Sequence, residues 1–147
     1  MTGRQKSLTE QLLGTWTLVS HRSLRLDGSE ISRFGANPKG IAIFDSGGRY
    51  ILSAMHSDRA KYAIGDPAQG TADENKLTAQ GTMTYFGRYT VSEADHTISI
   101  HIEACSFPNW NDTNQNRIFS IVGNQLTLTA HAPETGAIAT VVWKRAE

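Results

Sequence analysis

Apolar and polar residues alternate along the second half of the chain, with the period of two that indicates β-strands. Ile98, Ile100 and Ile102 alternate with polar residues, and so do Leu126 and Leu128. From residue 82 onward this pattern predicts antiparallel strands with short connections, one of them the two-residue hairpin turn Gly123-Asn124. The predicted strands are Thr82–Val91, Thr97–Ala104, Gln115–Val122, Gln125–His131 and Ile138–Arg145.

The first half of the chain predicts two short helices and three further strands. Ser7-Leu8-Thr9-Glu10 and Thr71-Ala72-Asp73-Glu74 both have the spacing of a capping box, which predicts one N-terminal helical turn and a short helix over 72–80. The segment His56–Gly70 has no period, which leaves a lid or portal and an ordinary surface loop both open. Strands are predicted at Thr15–Leu26, Ile41–Asp45 and Arg49–Met55, with a short ninth strand near Ile31.

This series of strands predicts an all-β fold, an antiparallel up-and-down barrel of about eight to ten strands, because closure removes the exposed edges of a long meander. A two-sheet sandwich is the alternative. The length of 147 residues fits a single domain over residues 1–147. A barrel of eight strands either fills its interior with side chains or holds one small ligand.

Composition excludes several classes of partner. The 14 Lys and Arg residues balance the 14 Asp and Glu residues, so the chain lacks the positive field that nucleic-acid binding needs. No stretch approaches the roughly 18 apolar residues of a membrane span, so no membrane insertion is expected. The first ten residues contain no apolar signal core, which predicts a soluble, cytoplasmic protein. Cys105 is the only cysteine in the sequence and cannot form an intramolecular disulfide.

Two segments at opposite ends of the chain resemble paired features of lipocalins. Gly14-Thr15-Trp16 follows the N-terminal helical turn and is similar to the Gly-x-Trp signature that opens the first lipocalin strand. The resemblance implies that Trp16 plugs one end of the barrel under a basic residue of the last strand, Arg145 or Lys144. A guanidinium stacked on an indole contributes roughly 0.5–2 kcal/mol.

Further motifs extend this resemblance over nearly the whole chain, to the bacterial and fungal lipocalin-like domain family of the calycin superfamily. The resemblance implies a barrel with a small-molecule cavity and no particular ligand. The family's paired histidine in the strand equivalent to 97–104 is reduced here to His101 beside Ile100, which weakens the case for any role that requires two adjacent imidazoles. The motifs are Leu12-Leu13-Gly14-Thr15-Trp16, Asp27-Gly28, Phe34-Gly35, Pro38-Lys39-Gly40, Ser46-Gly47-Gly48-Arg49-Tyr50, Tyr85-Phe86-Gly87-Arg88-Tyr89, Phe107-Pro108-Asn109-Trp110, Arg117, Asn124-Gln125-Leu126-Thr127-Leu128 and Trp143-Lys144-Arg145.

The polar residues best suited to chemistry lie on three consecutive predicted strands. They form a buried cluster of acid, base and cation only if their face points inward. The hydrophobic rule instead favours the isoleucines inside, which would leave His101 and Glu103 on the outer surface. Chosen by strand position, the candidate lining residues of a ligand site are Trp16, Leu18, Tyr50, Leu52, Tyr85, Tyr89, His101, Glu103 and Arg117.

No motif in the sequence indicates a cofactor or a metal. His21, His56, His96, His101 and His131 show neither H-x-H nor H-x-x-x-H spacing, so no metal site is expected. A haem with one histidine ligand would need only His131 or His101 to face inward. Cys105 is expected to be a small buried hydrophobic residue, and Trp110 and Phe107 either gate the barrel mouth or anchor a loop.

Three functions remain open from the sequence. The leading prediction is binding of a small, largely hydrophobic molecule inside the barrel. The second is a cyclase or isomerase, in which His101 or Glu103 carries a proton and Tyr89 donates a hydrogen bond. The third is an interaction module without a cavity, in which an exposed edge at Ile138–Trp143 or Ile41–Phe44 pairs two subunits into a homodimer.

Overall fold

The computed structural model describes residues 5–132 and 135–146, and in this part of the chain nine strands and two α-helices follow the predicted order. Pro133 and Glu134, in the predicted connection before the last strand, lie outside the described residues. The helices are α1 (Leu8–Leu12) and α2 (Ala72–Gln80). The strands are β1 (Gly14–Leu24), β2 (Glu30–Ile31), β3 (Lys39–Phe44), β4 (Arg49–Met55), β5 (Thr82–Ser92), β6 (Thr97–Cys105), β7 (Thr113–Val122), β8 (Gln125–His131) and β9 (Ile138–Arg145).

The strands form one closed antiparallel barrel. Each of the strands from β3 to β9 pairs with its sequence neighbour, and β9 returns to pair with β1. The closing pair runs from Trp16 opposite Arg145 to Leu24 opposite Ile138. The two-residue β2 is an extra strand beside the end of β1. The predicted barrel is therefore confirmed, and the sandwich alternative is excluded.

The two ends of the barrel differ, and we name each by its helix. At the α1 end, β1 begins and β9 finishes, and the buried Leu12 of α1 packs into the core. At the α2 end, β4 finishes and β5 begins, and the segment between them carries α2. Both helices begin with complete capping boxes, Ser7 with Glu10 and Thr71 with Glu74, as their sequences predict.

Two β-bulges change which side chains point into the barrel. In β1, Val19 is the extra residue between Leu18 and Ser20 of the pairing with β9. In β6, Glu103 is the extra residue opposite the step from Phe86 to Gly87 of β5. A bulge reverses the alternation of inward and outward positions beyond it. Consequently, inward positions in β1 change from even to odd residue numbers within the strand.

The bulge in β6 requires a glycine opposite it. A Cβ atom at position 87 would overlap the backbone carbonyl oxygen of His101. Gly87 is buried, and its lack of a side chain permits the close approach of β5 and β6 at this point.

Candidate functional site

A cavity of about 120 Å³ lies inside the half of the barrel toward the α2 end. Most of its wall is apolar and comes from β1, β4, β5, β8 and β9. Small side chains make the space: Ala130 of β8 and Ala139 of β9 are opposite each other and both line the cavity. The larger apolar lining residues are Leu18, Leu52, Met83, Leu128 and Val141.

The connection from β2 to β3 contributes the cation Arg33 and the ring of Phe34 to one side of the cavity, next to His21 of β1. Phe34 is buried and contacts the ring of His21 edge to face, with ring centres 5.1 Å apart. The Arg33 guanidinium lies over the Phe34 ring, 5.4 Å from its centre, and its Nε donates to the carbonyl oxygen of Gln80 at 3.3 Å. This bond joins the connection to the last residue of α2.

A chain of aromatic side chains extends from the core to the rim of the cavity. The ring of Tyr50 contacts that of Tyr85 at 5.9 Å, and Tyr85 contacts Trp110 at 5.8 Å, both nearly perpendicular. Phe107 then contacts Trp110 at 5.9 Å. Trp110 therefore packs its loop against Tyr85 of the core, as the anchoring role predicts, and it also lines the cavity.

Arg117 of β7 brings a second guanidinium to the cavity. Its Nη2 donates to the side-chain oxygen of Gln115 at 2.5 Å, and its Nη1 donates to the carbonyl oxygen of Asn116 at 3.2 Å. No carboxylate of the described residues forms an ion pair with either Arg117 or Arg33. The cavity therefore holds two cations without a described anionic partner.

Burial keeps the other titratable groups of the cavity neutral. Desolvation, reinforced by the charge of Arg33, lowers the pKa of His21 below 6.5, so this imidazole is uncharged at neutral pH. Burial raises the pKa of Tyr50 and of Tyr85 above the ordinary value of 10.0, and the charge of Arg117 opposes the rise at both hydroxyls. Near pH 7 the charge of the site is thus that of the arginines alone.

Three buried polar atoms near the cavity have no hydrogen-bond partner among the described residues. They are Nδ1 of His21, the hydroxyl of Tyr50 and Nε1 of Trp143. Leaving such a group unpaired costs roughly 1–3 kcal/mol, so buried polar atoms of native proteins are usually satisfied. His21 and Trp143 line the cavity, and Tyr50 packs against its lining residue Tyr85.

Four of the candidate lining residues do line the cavity: Leu18, Leu52, Tyr85 and Arg117. Tyr50 is buried one ring away from it. Their participation in ligand binding stays a prediction, but the structure does bring them together on the inner surface.

Trp16 and Tyr89 lie at the α1 end and do not line the cavity. Trp16 is fully buried, donates through Nε1 to the carbonyl oxygen of Leu12 at 2.9 Å, and is covered by the Arg145 guanidinium 4.2 Å from its ring. The Tyr89 hydroxyl donates to the carbonyl oxygen of Asp45 at 2.7 Å. Arg145 and not Lys144 covers the tryptophan, and Tyr89 already has an acceptor within the fold.

His101 and Glu103 lie on the outer face of β6, so their prediction as cavity-lining residues is wrong. Ile98, Ile100 and Ile102 are buried, and the outward positions between them follow from the strand period. His101 Nδ1 hydrogen-bonds Asn114 Oδ1 at 2.8 Å. Glu103 faces the exposed Arg49 at 3.6 Å and Arg88 at 3.9 Å.

This outward orientation removes the basis of two hypotheses. An acid–base reaction carried by His101 or Glu103 inside the barrel is inconsistent with their positions. A haem bound through His101 or His131 is likewise inconsistent, because His101 points outward and His131 is exposed.

The two strand edges expected to pair subunits are occupied within the barrel. β3 pairs with β1 and β4, and β9 pairs with β8 and β1. The prediction that an exposed edge at Ile41–Phe44 or Ile138–Trp143 pairs two subunits is therefore wrong, because each segment is hydrogen-bonded to a neighbouring strand on both sides.

Sequence reasoning missed His21, Arg33 and Trp143 as cavity residues. His21 has the wrong parity relative to Trp16 and Leu18, and only the Val19 bulge turns it inward. Arg33 lies in the connection between β2 and β3. The alternation of apolar and polar residues does not predict the path of such a connection over the barrel. The inward direction of Trp143 could have been predicted from the alternation of inward and outward residues, because Trp143 pairs with the inward-facing Leu18 and Leu126.

Within residues 5–132 and 135–146, no group of three or more histidine, cysteine, aspartate or glutamate side chains is placed to hold a metal ion. Over the same residues, no helix is long and apolar enough to cross a membrane.

A larger recess, of about 480 Å³, lies outside the barrel between residues 61–67 and Thr78 of α2. Its lining residues Lys61, Ile64 and Asp66 are exposed, so this recess is a solvent-facing groove. Concave apolar sites with a few placed polar groups are typical of small-molecule binding. The cavity inside the barrel is the more enclosed of the two, because barrel strands surround it, whereas the groove is open to solvent.

Comparison with known proteins identifies the family. A family model described as a lipocalin-like domain matches residues 13–146. No curated protein matches the chain. Among solved structures, a redesigned beta barrel is 16% identical, with 99% of this chain and 100% of that chain covered and a TM-score of 0.49. A lipocalin-like protein from Bacteroides uniformis is 14% identical, with 92% and 98% covered and a TM-score of 0.47. A mutant of the fluorescent protein UnaG is 10% identical, with 95% and 99% covered and a TM-score of 0.43.

Proposed function

The chain belongs to the lipocalin-like domain family, and from this premise we propose that it binds a small, largely hydrophobic molecule inside its barrel. The observation that carries the proposal is the internal cavity, which combines apolar walls with buried polar atoms that the described residues leave unpaired. The same cavity argues against the alternative of a filled barrel that acts only through its surface.

The volume of the cavity sets the size of the ligand. About 120 Å³ is less than the roughly 300–1,000 Å³ of sites for drug-sized molecules. It is close to the roughly 150 Å³ of an engineered apolar cavity that binds benzene. The proposed ligand is therefore the size of one substituted ring, or presents a group of that size to the cavity.

Toluene is a suitable first probe, because it offers apolar surface without charge. Trp110 and Trp143 line the cavity, so we expect toluene to change the intrinsic tryptophan fluorescence saturably. Titration by fluorescence, together with ligand-observed NMR, measures its affinity. If toluene produced no saturable change by either method, the proposal would be wrong.

A pair of leucine substitutions in β9 localises the binding. Ala139 lines the cavity, whereas the adjacent Thr140 is exposed on the outer face. Ala139→Leu places three additional carbon atoms in the cavity, so we expect loss of toluene binding in a protein that still folds, because the added atoms occupy existing space. Thr140→Leu is the matched control and retains binding. Equal binding by both variants would place the ligand elsewhere.

A further inference from the structure

The polar groups of the cavity are mainly hydrogen-bond donors. Arg33 and Arg117 carry guanidinium groups, which donate and cannot accept. Trp143 presents an indole N–H that has no described acceptor. No aspartate or glutamate is among the described residues that line the cavity. A ligand that satisfies these groups must therefore present acceptor atoms.

Arg117 is the cation best placed to bind a ligand group within the barrel. It shares the cavity wall with Tyr85, and its charge acts on the hydroxyls of both Tyr85 and the buried, unpaired Tyr50. These hydroxyls remain protonated at neutral pH and can donate alongside the guanidinium. Gln115 and the backbone of Asn116 accept from Nη2 and Nη1, which holds the guanidinium in one orientation.

Arg33 adds a second positive charge near His21. The Arg33 side chain is half-buried, and this burial lowers the pKa of its guanidinium because the charge is partly removed from water. The imidazole of His21 is neutral, so it does not repel an anion, and its unpaired Nδ1 lies beside the cavity. Two partly buried cations without a described counter-charge are stabilised by a single anion.

Resting on the proposed function, we propose that the ligand is a small carboxylate with one ring or a short apolar body, and that Arg117 binds its carboxylate group. A guanidinium and a carboxylate form two parallel hydrogen bonds, which match in shape as well as in charge. The body of the ligand fills the space beside Ala130, Ala139 and Leu52. The carboxylate replaces water around Arg117 and offers acceptors to the tyrosine hydroxyls.

Benzoate and its neutral isostere benzamide test this ligand class in the wild-type protein. Both have a planar group of the same size on one ring, but only benzoate offers two acceptor oxygens and a negative charge. We expect benzoate to bind at least tenfold more tightly, since hydrogen bonds to charged groups are worth about 1.5–3 kcal/mol and 1.4 kcal/mol is tenfold. Equal affinities would overturn the inference.

Two arginine variants identify the binding group. Arg117→Met removes the guanidinium from the cavity, and we expect benzoate binding to weaken at least tenfold, a larger loss than toluene binding shows in the same variant. Arg88→Met removes the same charge from the outer face, where Arg88 is exposed and faces Glu103, and leaves benzoate binding unchanged. An equal loss in both variants would mean a long-range charge effect, and no loss in either would exclude Arg117; both results overturn the inference.

Toluene separates the two proposals. If wild-type protein binds toluene but not benzoate, the apolar site exists and the carboxylate inference alone is wrong. If it binds neither, the proposed function is wrong and the inference is lost with it. The benzoate-to-benzamide ratio in the wild-type protein needs no variant, so it decides the inference even if Arg117→Met does not fold.

Discussion

The two ends of the barrel use the same kinds of side chain in opposite ways. At the α1 end, Trp16 is fully buried with its indole N–H bonded, and Arg145 covers its ring. The Arg145 guanidinium also donates to the carbonyl oxygens of Leu13 at 3.1 Å and Gln11 at 2.7 Å. The last carbonyls of α1 thus gain partners, and every polar group of this cluster has a role in the fold.

Toward the α2 end, another tryptophan and another arginine line a cavity. The indole N–H of Trp143 has no acceptor in the described part of the chain, and the Arg117 guanidinium, which donates to Gln115 and Asn116, has no carboxylate partner there. The polar groups around Trp16 and Arg145 have partners within the fold, whereas those of the cavity are left incomplete. Such incomplete satisfaction is typical of a site that a ligand completes.

The largest expected difference between the ends concerns their tryptophans. Trp16→Ala removes a fully buried side chain together with its hydrogen bond to Leu12 and its contact with Arg145. We therefore expect a loss of about 3–5 kcal/mol in unfolding free energy. Trp110→Ala removes a half-buried side chain at the rim of the cavity, and we expect about 1 kcal/mol. Urea denaturation measures both. Equal losses would contradict the assignment of stability to the α1 end.

The two capping boxes provide a matched comparison of intermediate size. Ser7→Ala weakens α1, whose Leu12 is buried in the core, and we expect a loss of about 1 kcal/mol. Thr71→Ala weakens α2, which has no buried residues, and we expect a change within about 0.5 kcal/mol. Denaturant titrations of the two variants test this order, and a larger loss in Thr71→Ala would reverse it.

The smallest expected effect is a pH dependence from His21 at the cavity. Its pKa in the folded protein is below the 6.5 of the unfolded chain, so the unfolded chain binds the proton more readily. The stability contributed by the neutral imidazole is therefore complete above pH 6.5 and is lost as the pH falls from there toward the folded-state pKa. Arg33 is the charged group that acts on His21, and its positive charge lowers the His21 pKa further.

Substitution of His21 isolates this contribution. Lowering the pH from 7.5 to 5.0 should reduce the unfolding free energy of His21→Leu by less than it reduces that of the wild type. Denaturant titrations at the two pH values measure both differences. The exposed His131 is the control, and His131→Gln should follow the wild type. An identical pH dependence in His21→Leu and wild-type protein would show that His21 is not the group responsible.

Most of the barrel could be predicted because its information is local. The bounds of α2, β4, β8 and β9 coincide with those predicted from capping residues, turns and alternation. Ile98, Ile100 and Ile102 face the core as the hydrophobic rule favours. The expected pairing of Arg145 with Trp16 came from the family resemblance and not from periodicity, and the structure confirms it.

The candidate site could be predicted only in part, because its information is not local. Leu18, Leu52, Tyr85 and Arg117 were found from strand position. His21 was missed because one extra residue in β1 reverses its direction, and nothing near Val19 in the sequence marks a bulge. Arg33 reaches the cavity because its connection packs against the end of α2, a contact between residues 47 positions apart.

The hydrogen bond from Arg145 to Leu13 also fixes an order of events during folding. These residues are 132 positions apart, so the bond forms only after nearly the whole chain is available. Until β9 pairs with β1, the edge of β1 that faces β9 and the corresponding edge of β8 stay open to other strands. Such non-local closure is slow, because the entropy of a long loop must be lost before its contacts form. While β9 is still inside the ribosome, the emerged chain therefore exposes two strand edges with unpaired backbone groups. Chaperone binding would be most useful at that stage.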